Sequence, residues 1–188
     1  MKVYLIVFIG NCMITLNNVD WKAVLDSLPT VGKSITANSN MWNSDNAEYK
    51  KIFSLWIDSG FNLDAVKWEN FYPGVDFDKT ISENIAKELN LKELRSWISK
   101  LEPGYCAPWH WDIDDNEAEY LLQGTPKRYS FFINEPIQGQ ILILGEDYYF
   151  NQPMGTFIEW EHYHQWHSAT NVSMEANFMF HILGIPND

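Results

Sequence analysis

The chain has 188 residues, 46% of them hydrophobic and 15% aromatic, with nine tryptophans. That composition excludes a disordered polypeptide and describes one folded domain, residues 1–188, large enough to bury a core without disulfides or a structural metal. A net charge of −12 argues against nucleic acid as a partner, because phosphate backbones call for a basic surface, and two cysteines, Cys12 and Cys106, make no disulfide framework, so a reduced, cytoplasmic setting is expected.

Residues 1–10 form an apolar run behind Lys2 that is too short to span a membrane and lacks a convincing cleavage site, so it reads as a first strand and no membrane partner is expected. Asp20 can cap a helix whose apolar face is Trp21, Val24, Leu25 and Leu28, with Pro29 closing it. Asp45 and Glu48 read as the capping box of a second helix, with Tyr49, Ile52, Phe53 and Trp56 as its buried stripe and Gly60 as its stop. A third helix is expected from Thr80, with Ile81, Ile85 and Leu89 on one face before Asn90. These make residues 1–93 an N-terminal layer of helices and loops.

From residue 94 the apolar period shortens to alternation, and turn signals recur at Pro103-Gly104, Gly124-Thr125-Pro126, Asn134-Glu135-Pro136, Gly145-Glu146 and Pro153-Met154-Gly155. Strands are expected over residues 128–133, 140–144, 156–160 and 177–183. Many short strands with regular turns predict a mainly β fold with N-terminal helices (α+β), in which residues 94–188 form a sandwich, jelly roll or barrel.

The segment Pro108-Trp109-His110-Trp111-Asp112 carries the chemistry. On a strand, His110 and Asp112 share a face. His167 in Trp166-His167-Ser168-Ala169-Thr170-Asn171 can supply a second imidazole, although His162 and His164 compete for that role. Two imidazoles and a carboxylate are the donor set that holds non-haem Fe(II) with open coordination positions. The run Asp112, Asp114, Asp115, Glu117 and Glu119 is otherwise a solvated acidic loop.

On these residues, together with Leu101-Glu102-Pro103-Gly104 and Gly155-Thr156-Phe157-Ile158-Glu159-Trp160, the chain from 94 to 185 resembles the Fe(II)- and 2-oxoglutarate-dependent oxygenases, most of all their aspartyl/asparaginyl and prolyl hydroxylase branches. The resemblance implies a cupin-like double-stranded β-helix, with His110, Asp112 and His167 as metal and catalytic ligands. It further implies 2-oxoglutarate and molecular oxygen as co-substrates, and hydroxylation of an unactivated C–H, on a protein or peptide side chain if the substrate also carries over.

Much of that family grips the far carboxylate of 2-oxoglutarate with an Arg or Lys about ten residues beyond the distal His, and here residues 168–188 contain neither. Arg128, one of only two arginines, and His181 are the candidate substitutes for cofactor binding. Tyr105 and Tyr129 offer hydroxyls to a carboxylate, and Trp109, Trp111, Trp160 and Trp166 flank the presumed ligands, either as a water-excluding wall or as ordinary core. Asn171-Val172-Ser173 matches a glycosylation sequon. The missing cation leaves a second reading open, a cupin-like metal enzyme that does not use 2-oxoglutarate. A third reading is a non-enzymatic jelly-roll binding or virion-type module.

Overall fold

A computed structural model of the chain describes residues 5–9, 12–16, 19–39, 47–112 and 117–187. The apolar start is a strand, β1 (Leu5–Ile9), in an antiparallel hairpin with β2 (Cys12–Leu16). The first expected helix is α1 (Trp21–Ser27); the Asp20 carboxylate accepts the Ala23 N–H, and Leu28 turns extended at ψ 144° because Pro29 follows it. The second is α2 (Ala47–Asp58). It ends at Gly60, φ 71°, where the Phe61 N–H donates to Trp56 and the Gly60 N–H to Ile57, a left-handed stop that glycine adopts without strain. Asp45, the expected cap of α2, lies outside the described residues.

The third helix, α3 (Lys79–Glu88), begins one residue earlier than expected. Asp78 is its cap and accepts the Thr80 N–H.

The N-terminal layer is not made of helices and loops alone. It holds β3 (Lys33–Thr36) and β4 (Lys67–Phe71), which pair with each other, and β4 continues onto β5 (Leu91–Leu101). Lys-Ser-Ile-Thr and Lys-Trp-Glu-Asn-Phe carry too few apolar residues to read as strands alone; their pairing with β5 decides their conformation. The acidic run also departs from the expected loop, since α4 (Glu117–Gln123) occupies its second half, while Asp114 and Asp115 lie outside the described residues.

The remaining strands are β6 (Cys106–His110), β7 (Lys127–Phe132), β8 (Gln140–Leu144), β9 (Asp147–Phe150), β10 (Phe157–Glu159), β11 (His167–Asn171) and β12 (Asn177–Pro186). They form a six-stranded sheet, β10-β7-β12-β5-β4-β3, and a four-stranded sheet, β6-β11-β8-β9, with antiparallel pairing throughout. From β5 onward the chain crosses from one sheet to the other at every connection except the β8–β9 hairpin. That winding is the jelly roll, a double-stranded β-helix.

Strand alternation sends the two faces of the six-stranded sheet into different surroundings. Ile98, Phe131, Phe180 and Ile182 point outward and pack under α1 and α3 with Trp21, Val24, Ile85 and Leu89. Phe132, Met179 and Trp160 point inward to meet Leu142 and Leu144 of the other sheet.

Asn171, read as a sequon from the sequence, is fully buried at the end of β11. Its amide donates to the Leu101 and Glu175 carbonyls, and its Oδ1 accepts from the Ser173 N–H and hydroxyl. An amide engaged in this way pins the sheet corner and is closed to a glycan.

Candidate metal centre

His110 ends β6, and His167 begins the neighbouring strand β11 directly opposite it. Ala107 pairs with Ala169, so β6 takes three residue steps to reach His110 where β11 takes two to reach His167; the extra residue is a β-bulge. Pro108, which has no N–H to give to a ladder, sits inside that bulge, and its carbonyl turns toward the His110 ring.

His110 Nδ1 lies 2.5 Å from the Pro108 carbonyl oxygen, and His167 Nδ1 lies 3.0 Å from that of Gln165. A carbonyl only accepts, so each Nδ1 carries the proton and donates, which leaves both Nε2 lone pairs bare. These face Asp112: His110 Nε2 is 3.8 Å from one carboxylate oxygen and His167 Nε2 is 3.7 Å from the other. The three donor atoms lie within 4.8 Å of one another, so the expected triad converges into a group that can hold a metal ion.

Electrostatics keep the donors in their ligating forms. Burial pushes both imidazoles below their ordinary 6.5, more strongly at His167, where the neighbouring His110 adds to the effect. Burial by itself would raise the Asp112 carboxyl, but Arg128, His167 and His110 more than offset this and hold it well below the usual carboxylate range. Neutral nitrogens and an ionised carboxylate are what a divalent cation needs.

Arg128, on β7, is only 4% exposed and donates through Nη1 to Asp112 Oδ2, the oxygen that also faces His167. Its guanidinium carbon stands 3.5 Å from the Trp160 ring centre and 5.0 Å from that of Trp97. The sequence placed this arginine at a co-substrate carboxylate; the structure joins it to a presumed metal ligand, and its Nε has no hydrogen-bond partner among the described residues.

His181, on β12, is sandwiched between two hydroxyls, Ser130 at 2.7 Å from Nδ1 and Ser99 at 2.8 Å from Nε2, and it stacks on Trp97 at 4.9 Å. The Trp160 indole N–H donates to the same Ser130 oxygen. Burial and then Arg128 hold His181 well below its ordinary value, so it stands in the wall as a neutral group rather than as a charge.

The tryptophans divide. Trp160 is buried edge-on to His167 at 4.7 Å, and Trp68 of β4, which no sequence motif marks, stacks on His110 at 5.6 Å. Trp109 points away and is 40% exposed, stacked on Trp166, while Trp111 and Trp166 pack with Trp56 of α2. Tyr129 faces the outer core, where burial and then Glu159 raise its hydroxyl to about 12, and it takes no part in the site. Tyr105 is partly buried beneath the Lys67 ammonium. His164 and Tyr163 line the same cavity, but neither His162 nor His164 joins the converging donors. Cys106 is a free thiol that donates to the Ala65 carbonyl, with burial raising its pKa to about 11.

The donors open into a cavity of about 800 Å³ between the sheets, extended past β5 by Trp68 and Asn70 of β4 and by Tyr72 just after it. Asp112 is 43% exposed, so the donor set sits at a mouth rather than in a sealed core. No helix among the described residues is long and apolar enough to cross a membrane.

No protein-family model and no curated protein matches this chain. Among solved structures, a protein described as a predicted oxalate decarboxylase from Thermotoga maritima is 11% identical over 63% of this chain and 81% of its own, with a TM-score of 0.39. A putative sugar phosphate isomerase from Acidithiobacillus ferrooxidans is 14% identical over 64% of this chain and 60% of its own, with a TM-score of 0.36. A cupin-2 domain from Rhodospirillum rubrum is 10% identical over 66% of this chain and 62% of its own, with a TM-score of 0.37. Likenesses this remote transfer no chemistry.

Proposed function

We propose that this chain is an Fe(II)- and 2-oxoglutarate-dependent oxygenase that hydroxylates an unactivated C–H bond, with a protein or peptide side chain as its substrate class. The observation that carries the metal half is the pair of backbone-tied imidazoles: both Nδ1 atoms are committed to carbonyls, and both Nε2 atoms face one carboxylate. A structural histidine in a core would have no reason to direct a bare lone pair at a carboxylate that accepts but cannot donate.

His110, Asp112 and His167 hold the ion in this reading, and three protein donors leave positions for co-substrate and oxygen. When bound, Fe(II) supplies the redox chemistry that couples oxidative decarboxylation of 2-oxoglutarate to insertion of one atom of O2 into the substrate. The chain's own contributions are orientation and exclusion of water. Pro108 and Gln165 fix the imidazoles through their outer nitrogens, as hydrogen-bonded partners of metal ligands do. Arg128 holds Asp112 in its ionised form and correct orientation, and Trp68 and Trp160 wall the two imidazoles off from solvent. Asp112, at the open end, leaves a side from which a peptide segment can approach.

Anaerobic titration of the Fe(II)-loaded protein with 2-oxoglutarate tests this directly. Chelation is expected to produce a saturable weak visible charge-transfer band that His110→Ala abolishes. Iron binding without a band would favour the second reading, a cupin-like metal enzyme acting on a small acid. The observation favouring that reading is that Arg128 reaches Asp112 rather than standing clear of the metal ligands.

A further inference from the structure

Asp112 lies beyond the end of β6, so no strand pairing fixes its carboxylate, and its place is set by the side chains that reach it. Arg128 is the cation that does so. Its guanidinium is buried, and its Nε has no hydrogen-bond partner among the described residues. A buried guanidinium that hydrogen bonds do not hold on every side takes its orientation from the rings it lies on.

Two tryptophan rings are near. Trp97 stands 5.0 Å from the Arg128 guanidinium carbon and is shared with Arg95 at 5.1 Å, whereas the Trp160 ring centre is 3.5 Å away, full van der Waals contact. Strand geometry explains that closeness. Glu159 of β10 pairs with Tyr129 of β7, and the next residue, Trp160, gives its backbone N–H to the Arg128 carbonyl. Trp160 and Arg128 therefore face each other across the ladder and turn to the same inner side, where both line the cavity. The same indole meets the His167 ring at 4.7 Å and 71°. One buried side chain thus touches a metal-binding imidazole and the cation that holds the metal-binding carboxylate.

The indole is itself anchored, and the polarity of its anchor is forced. An indole N–H only donates, so Ser130 Oγ, at 2.8 Å, accepts from it. Ser130 is fully buried, and its own proton goes to His181 Nδ1 at 2.7 Å, the other partner of that oxygen among the described residues. Nδ1 is then the bare nitrogen of a neutral ring, and Nε2 donates to Ser99 Oγ at 2.8 Å on the cavity wall. His181 is therefore the opposite tautomer to His110 and His167, which keep their protons on Nδ1. Three links of fixed direction leave the indole one orientation.

We propose that Trp160 is the positioning residue of the metal centre: locked by Ser130 and His181, its face holds Arg128, and through it Asp112, in place beside His167. This rests on the metal-dependent reading above and adds to it a residue that is no ligand.

Co(II) titrated into the metal-free protein tests this, because its visible bands report the arrangement of the donors rather than stability. Wild type without bound Co(II) defeats the metal-dependent reading itself. With an ion bound, Trp160→Leu is expected to weaken Co(II) by about 10- to 100-fold, the usual cost of losing a group that orients metal ligands, and to shift the bands. Trp160→Phe, which keeps an aromatic face without the N–H, recovers part of both. Phe180→Ala is the control, since it loosens the outer core and its bands stay those of wild type. Wild-type affinity and bands in Trp160→Leu overturn the proposal, as does an equal band shift in Phe180→Ala, which would mark general loosening. Should Trp160→Leu fail to fold, as judged by circular dichroism, Ser130→Ala decides: the ring stays while its anchor goes, the bands are expected to shift, and unchanged bands overturn the proposal. Imidazole nitrogen NMR of the metal-free protein checks the anchor without any ion. It is expected to show the proton on Nε2 of His181 and on Nδ1 of His110 and His167, and a proton on Nδ1 of His181 contradicts the chain that locks the indole.

Discussion

The two faces of one sheet differ more than its two ends do. Along β12, Phe180 and Ile182 turn outward into an apolar layer closed by α1 and α3, while His181 and Leu183, one residue away in each case, turn inward to a wall that also holds Arg95, Ser99, Arg128 and Ser130. The outer face accounts for why the chain folds. The inner face buries hydroxyls, an imidazole and the Arg128 guanidinium, groups that a wall serving stability alone would not need.

The sharpest way to break this division is Phe180→Ala. Phe180 is fully buried against Trp21, Phe77 and Phe131, so its truncation is expected to cost about 3–5 kcal/mol in urea unfolding while leaving metal binding intact. Loss of metal affinity in a still-folded Phe180→Ala would show that the two faces are not independent.

Asp112→Ala should do the opposite. It is expected to abolish metal binding and to cost about 1–3 kcal/mol in the metal-free protein, because Arg128 loses its carboxylate; the 43% exposure of Asp112 keeps the cost at the lower end of what a buried ion pair would show. The measurement is paired denaturation and metal titration of the same variant.

A third prediction concerns pH. His181 stays neutral in the fold well below its ordinary 6.5, whereas in the unfolded chain it takes up a proton near that value. The unfolded state therefore binds more protons below 6.5, and stability that is complete above 6.5 declines as pH falls toward the depressed folded value. Compared with wild type, His181→Gln is expected to show a stability-versus-pH slope shallower by up to about 1.4 kcal/mol per pH unit in that window. Equal slopes would mean that His181 titrates normally. The smallest effect is expected from Ser130→Ala, which removes the acceptor of the Trp160 indole and one partner of His181, at about 1 kcal/mol by thermal or urea unfolding.

The converging donors His110, Asp112 and His167 were only partly legible in the sequence. Spacing offers His110 and Asp112 as a pair, whereas the choice of His167 over His162 and His164 came from the resemblance of Ser168-Ala169-Thr170-Asn171 to the oxygenase pattern. The strand ends around residues 128–133 and 140–144 were legible, since alternation and turn residues are local. What was not legible depends on register between distant strands. Trp68 against His110, Trp97 within 5.1 Å of both guanidinium carbons, and Arg95 and Arg128 on either side of Leu183 all depend on how distant strands are brought together, which no local pattern encodes. Tyr129, left ambiguous by the sequence, alternates with Arg128 and Ser130 along β7 and so falls on the outer face with Phe131.

The most direct test of the account is the stoichiometry of a divalent ion, measured by titrating Co(II) into the metal-free protein and following its visible absorption. One ion per chain in wild type and in His162→Ala, with none in His167→Ala under conditions where that variant remains folded, is the predicted result. Retention of the ion by His167→Ala, or its loss in His162→Ala, would contradict the centre described here.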